Sequence, residues 1–149
     1  MYNNRCFNAF ADIRGGEDNP EISGKVFFFQ KRNGVMVVAD ISGLPENSTG
    51  NFFAFHIHNG TSCTGKDFSD TGTHFNPDDD IHPFHAGDLP PLLSNDGKAY
   101  CEVLTNRFRV KDIIGKTVVV HDMADDFRTQ PAGAAGKKIA CGIVKIRHC

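Results

Sequence analysis

The sequence predicts an all-β fold: an antiparallel sandwich or barrel of about eight strands with two long loops. Three observations point to it. Short runs rich in β-branched and aromatic residues alternate with Gly, Asn, Ser and Pro. The aromatic content is dominated by 13 Phe, with no Trp. No stretch shows a helical apolar period of comparable strength.

In chain order, residues 6–13 form the first run and Arg14-Gly15-Gly16 closes it. Residues 22–31 are followed by Arg32-Asn33-Gly34, and residues 35–41 by Ser42-Gly43-Leu44-Pro45. A fourth run, 51–58, leads into about thirty residues, 59–88, rich in Asp, Gly, Thr, His and Pro and without apolar period. Loops of that length inside a compact unit are usually functional or disordered. Strand character returns at 99–108 and 117–121, is interrupted by the Gly/Ala/Pro-containing stretch 123–138, and closes with 139–146. Seven or eight strands result. There is no repeat, low-complexity tract or linker, so residues 1–149 are expected to form one domain.

With 16 basic and 18 acidic residues, the chain carries neither the electrostatic footprint of a nucleic-acid binder nor a polybasic membrane anchor. No apolar run approaches a bilayer span, and Met1-Tyr2-Asn3-Asn4-Arg5 is not the start of a secretory signal. A soluble, cytoplasmic protein is expected, with an exported mature form as the alternative. Five cysteines, an odd number in a chain of this size, suit one bridge plus free thiols better than a disulfide scaffold.

Chemistry concentrates in the histidines. In Phe53-Ala54-Phe55-His56-Ile57-His58 the period of two puts Phe53, Phe55 and Ile57 on an apolar face and both histidines on the other. Imidazole suits copper and zinc. The pair alone fits surface histidines making ordinary hydrogen bonds better than it fits a metal site. The long loop adds His74, His82, His85 and Asp88. Three nitrogens and one oxygen are enough to close a tetrahedral zinc site, whereas the bland reading is a solvated loop with incidental histidines. Val118-Val119-Val120-His121 ends a strand on one more imidazole, which by itself reads as a buried histidine bonded to a carbonyl.

Taken together, several strings resemble the copper/zinc superoxide dismutase family over residues 10–146: Phe55-His56-Ile57-His58, Gly72-Thr73-His74-Phe75-Asn76-Pro77, His85-Ala86-Gly87-Asp88-Leu89, Gly115-Lys116-Thr117-Val118-Val119-Val120-His121, Ala124-Asp125-Asp126 and Ala140-Cys141-Gly142. The resemblance implies an immunoglobulin-like Greek-key sandwich or barrel. It implies copper held by His56, His58, His74 and His121, and zinc held by His74, His82, His85 and Asp88, with His74 shared. Asp125 would link His56 to His82 from outside the ligand sets and fix their rings. Cys63 and Cys141 would form the family disulfide. Cys6 and Cys101 are then expected to be buried free thiols and Cys149 a tail thiol.

The implied activity is conversion of superoxide to dioxygen and hydrogen peroxide by Cu(II)/Cu(I) cycling, with His74 as proton carrier and a cation drawing the anion in. The family's arginine three residues before the second bridge cysteine is here Lys138, preceded by Lys137. The charge is kept and the planar guanidinium fork is lost. Composition alone reads the two lysines as a solvated pair. Only Pro83-Phe84 separates His82 from His85, and 123–138 is short for the family, which is expected to leave copper more open. The expected partners are superoxide and a copper donor, with no nucleic acid and no membrane, in a monomer or homodimer. Rival readings are a non-enzymatic zinc- or copper-binding relative and a metal-free β-sandwich interaction module.

Overall fold

The computed structural model describes residues 7–148, and the expectations for Cys6 and Cys149 lie outside them. Eight strands close into one antiparallel barrel: β1 (Ala9–Gly15), β2 (Ser23–Lys31), β3 (Gly34–Ser42), β4 (Phe52–His58), β5 (Asp88–Asn95), β6 (Lys98–Thr105), β7 (Thr117–His121) and β8 (Lys138–Ile146). Their order around the barrel is β1-β2-β3-β6-β5-β4-β7-β8, with β8 back against β1, so no strand edge is left open. The connection from β3 to β4 passes over β6 and β5, and that from β6 to β7 passes over β5 and β4, giving the Greek key.

Alternation builds the interior. Ala9, Ala11 and Ile13 of β1, Val26 and Phe28 of β2, and Val37, Ala39 and Ile41 of β3 are buried. These runs pair in unbroken register, Phe28 with both Ala9 and Val37. On β4 the inward set is Phe53, Phe55 and Ile57, all fully buried.

Two features depart from the sequence expectation. Strand β5 falls almost wholly between the expected loop 59–88 and the expected run 99–108, where the sequence predicts no strand. Its Pro90-Pro91 removes two ladder donors and hides the strand signal. It pairs with β4 as Phe53↔Leu92 and Phe55↔Leu89 around an irregularity, and turns into β6 through Asp96-Gly97, both at positive φ. Strand β6 ends at Thr105 rather than 108, and a single helical turn, α1 (Val110–Ile113), follows. Phe108, Val110 and Ile113 are buried and complete the core there, with Gln30 Oε1 accepting from the Val110 N–H at 2.9 Å.

Cys63 and Cys141 are disulfide-bonded, with Cα atoms 5.8 Å apart and 78 residues of separation. The bridge ties the loop after β4 to β8, and by chain-entropy reasoning closing so long a loop contributes about 4 kcal/mol. Cys101 of β6 is a free, half-buried thiol, its pKa raised by burial.

Phe55 packs between the β5 and β7 pairings with no exposed surface. Phe55→Ala is expected to cost about 3–5 kcal/mol of folding free energy, read from the denaturation midpoint at unchanged slope.

Candidate metal centre

The outward face of β4 carries His56 and His58, yet they are 0% and 2% exposed. They are covered by the chain that follows. Residues 59–87 fold back along the end of β4, stitched by Phe75 N–H to Ile57 O, Ile57 N–H to Gly87 O, Asn59 N–H to Thr73 O and Gly60 N–H to Thr71 O. His58 and His74 thereby become bridge partners. Within this loop runs the short 3₁₀ segment η1 (Lys66–Thr71).

His121 arrives from β7, which pairs with β4 as Phe55↔Val120 and His56↔Val119. A register shift between β7 and β8 then sets Lys138 directly opposite His121. From the loop between β7 and β8 comes Asp125, which is 6% exposed. The expected ligands His56, His58 and His121, with Asp125 and Lys138, are thus brought to the outward face of β4 and its neighbour β7.

Two groups of ligand atoms converge. His56, His58, His74 and His121 form one, and His56, His74, His82 and Asp88 the other, each with atoms within 4.8 Å of one another. The sequence expectation for the second group has His85 where this set has His56. His85 Nδ1 lies 3.1 Å from Asp88 Oδ2 and 3.3 Å from His74 Nδ1, so it faces the same group. His74 is the hub, its ring centroid 4.0 Å from that of His56, 4.9 Å from His58, 5.4 Å from His82 and 5.3 Å from His85.

The remaining hydrogen bonds fix which ring nitrogen is free. His56 Nε2–H donates to Asp125 Oδ2 at 2.7 Å and His82 Nε2–H to Asp125 Oδ1 at 2.8 Å, which turns both Nδ1 atoms inward. His58 Nδ1–H donates to Gly72 O at 2.9 Å, leaving its Nε2 3.2 Å from His121 Nε2. His121 Nδ1–H points to Gly136 O at a long 3.5 Å. His74 Nδ1 meets Asp88 Oδ1 at 2.7 Å. Among the described residues, the buried atoms left without a hydrogen-bond partner are His56 Nδ1, His74 Nε2 and His82 Nδ1.

Native interiors rarely tolerate such orphans. Here all three point into the converging groups, which is the arrangement that lone pairs need for a cation. The residues thus fit metal ions of the kind that imidazole and carboxylate ligands hold, in two adjacent groups that have His56 and His74 in common.

Burial dominates the electrostatics. It lowers the pKa of His58 to about 2 and that of His121 to about 3, helped by repulsion from neighbouring imidazoles and, last, from Lys138. Burial also lowers that of His56, against the Asp125 hydrogen bond. The rings are held neutral, the state that binds metal. For Asp125, burial pushes up but is outweighed by the His56 and His82 hydrogen bonds and the Phe127 N–H, so its carboxyl sits at about 2. Asp88 is likewise lowered, its burial outweighed by His74 and the other nearby rings. Lys138 Nζ donates to Thr71 Oγ1 at 2.7 Å and Gly72 O at 2.9 Å, and partial burial lowers its pKa. Gly72 O thus receives both His58 and Lys138, a role that no residue-type signal in the sequence announces.

A closed Greek-key barrel bearing two adjacent buried groups of imidazoles, one with a carboxylate, against the outward face of one strand defines a class of β-barrel with a histidine-rich metal site. Residues 22–144 match the family model for copper/zinc superoxide dismutase (SODC). The chain is 36% identical over 137 residues to "Superoxide dismutase [Cu-Zn] 1" of Aquifex aeolicus, covering 82% of this chain and 79% of that one. Among solved structures it is similar to a SOD-like protein from Bacillus subtilis, with a TM-score of 0.78 and 26% identity over 93% of this chain and 99% of that one. It shares the fold of the Cu/Zn superoxide dismutase from Brucella abortus, with a TM-score of 0.77 and 24% identity over 91% and 98% of the two chains. The chain belongs to the copper/zinc superoxide dismutase family, a family of oxidoreductases.

Protein stripped of metal by a chelator is expected to lose stability on acidification. His58 and His121 have folded pKa values of about 2 and 3, below the unfolded value of 6.5, so the unfolded chain takes up protons first. Stability present above pH 6.5 should fall continuously toward pH 3, which thermal melts across that range would reveal. A flat melting temperature between pH 7 and 4 would contradict it.

Proposed function

We propose that this chain, residues 1–149 acting as one unit, is a superoxide dismutase: two superoxide anions and two protons become dioxygen and hydrogen peroxide. The carrying observation is His74, a buried ring with one nitrogen turned to each of two converging groups. Copper would be held by His56, His58, His74 and His121, and zinc by His74, His82, His85 and Asp88. When bound, copper supplies a one-electron couple able to oxidise one superoxide and reduce the next, while zinc supplies fixed charge without redox chemistry.

The chain's own residues do the rest. Asp125 orients His56 and His82, Gly72 O orients His58, and Gly136 O faces His121, so hydrogen bonds from outside the ligand sets fix the direction of the donor atoms. His74 Nε2 takes up a proton in one half of the cycle and gives it to the reduced dioxygen species in the other. Its Nδ1, held on the Asp88 side, keeps the ring from turning between the two events.

Lys138 attracts the anion. Its ammonium is anchored by Thr71 Oγ1 and Gly72 O beside His58 and opposite His121 in the β7–β8 pairing, so the positive charge has a fixed address. An ammonium draws an anion as a point charge, and lacks the planar fork with which a guanidinium holds one in register.

Reconstitution with both metals should give one copper and one zinc per chain and rapid superoxide removal. Zinc uptake without turnover would instead identify a non-enzymatic metal-binding relative. Lys138→Arg is expected to raise the second-order rate constant severalfold, and Lys138→Ala to lower it about tenfold, by an amount that shrinks as salt screens the field. A rate constant unmoved by Lys138→Arg at every ionic strength would remove Lys138 from the capture step.

A further inference from the structure

His82 is gripped from two sides by one stretch of chain. Asp125 Oδ1 accepts from its ring at 2.8 Å. Five residues on, the Gln130 side chain clamps its backbone: Oε1 accepts from the His82 N–H at 2.9 Å, and Nε2 donates to His82 O at 2.7 Å. This is a two-point bond across 48 residues of sequence. It mimics one rung of a β-ladder where no strand exists.

The clamp is itself braced. Gln130 Nε2 also donates to Arg128 O at 3.1 Å. Asp126 Oδ1 accepts from the Arg128 and Thr129 N–H groups, and Thr129 O accepts from Gly133 N–H at 2.7 Å. Gly133 is buried at φ 75°, where a Cβ would lie 2.1 Å from Asp125 Oδ1 and 2.6 Å from His82 Nε2. The loop backbone therefore closes directly over the Asp125–His82 bond, and only glycine fits there.

A ring bonded by Asp125 alone can still pivot about that bond if its backbone drifts. With Gln130 in place both ends of the residue are fixed, and Nδ1 has one direction to face, toward Asp88 Oδ2 3.1 Å away. We infer that Gln130 is a positioning residue for zinc, acting through His82. This rests on the proposed zinc role of His74, His82, His85 and Asp88. The copper side is not gripped this way: among the hydrogen bonds of the described residues, the Gln130 side chain meets His82 and Arg128 and none of the copper-side histidines.

The test uses the whole chain, zinc alone as probe, and competition with a chromogenic chelator, with Co²⁺ substituted for zinc to report ligand geometry through its visible bands. Gln130→Ala should weaken zinc about tenfold, within the range for loss of an outer partner of a metal ligand, and shift the Co²⁺ bands. Copper bound at the neighbouring group should keep its absorption. The isosteric Gln130→Glu keeps an acceptor for the His82 N–H but sets an oxygen against His82 O, and should also weaken zinc. If wild type takes up zinc and both variants bind it within twofold of wild type with unaltered Co²⁺ bands, the positioning role is wrong and the zinc site stands. Weakened zinc that only tracks a lower melting point of metal-free protein, with unaltered Co²⁺ bands, also overturns it. A wild-type chain that takes up no zinc overturns the zinc site and this role together.

Discussion

The site depends on a single carboxylate. Asp125 accepts from His56 on β4 and from His82 on the loop that follows it, with both rings and the carboxylate itself almost wholly withdrawn from solvent. Each bond decides a tautomer, and each tautomer decides which nitrogen is left facing inward. The carboxylate stays charged despite its burial because those two N–H donors, with the Phe127 N–H, outweigh the desolvation. Without it, two of the three unpartnered nitrogens would lose their direction. The loop between β7 and β8 therefore contributes orientation rather than ligands.

What makes this possible is the two-sidedness of β4. The period of two sends Phe53, Phe55 and Ile57 into the barrel, where their burial anchors the strand. The same period necessarily sends His56 and His58 outward, and the backbone rungs Phe75–Ile57 and Ile57–Gly87 then lay the loop over them. The histidines are outside the barrel and inside the protein. A slip of one residue in the β4–β7 register would exchange the two sets, so the pairing that fixes the core also fixes the site.

This explains what could be read from the sequence and what could not. The alternation on β1 to β4 and the strand-end His121 are local patterns, and they emerged at the right places. The ligand sets and the Cys63–Cys141 pairing came through family resemblance, because nothing local tells a solvated loop histidine from a buried one; burial is a property of the returning chain. Strand β5 was hidden by Pro90-Pro91, since a strand whose ladder is broken on one side has no propensity signature. Gln130 gave no signal because its partners are backbone atoms of a residue far away in sequence. Backbone carbonyls such as Gly72 O are invisible for the same reason.

The energetic consequence links folding to metal. A buried polar atom left unpaired costs about 1–3 kcal/mol, and three of them meet in this site. Neighbouring imidazoles that repel one another's protonated forms add to that cost whenever a proton arrives. Burial of the barrel core and the disulfide offset it. A cation that satisfied those lone pairs in the folded chain alone would add its binding energy to folding stability. Lone pairs directed at one another in this way are what a cation placed between them would satisfy.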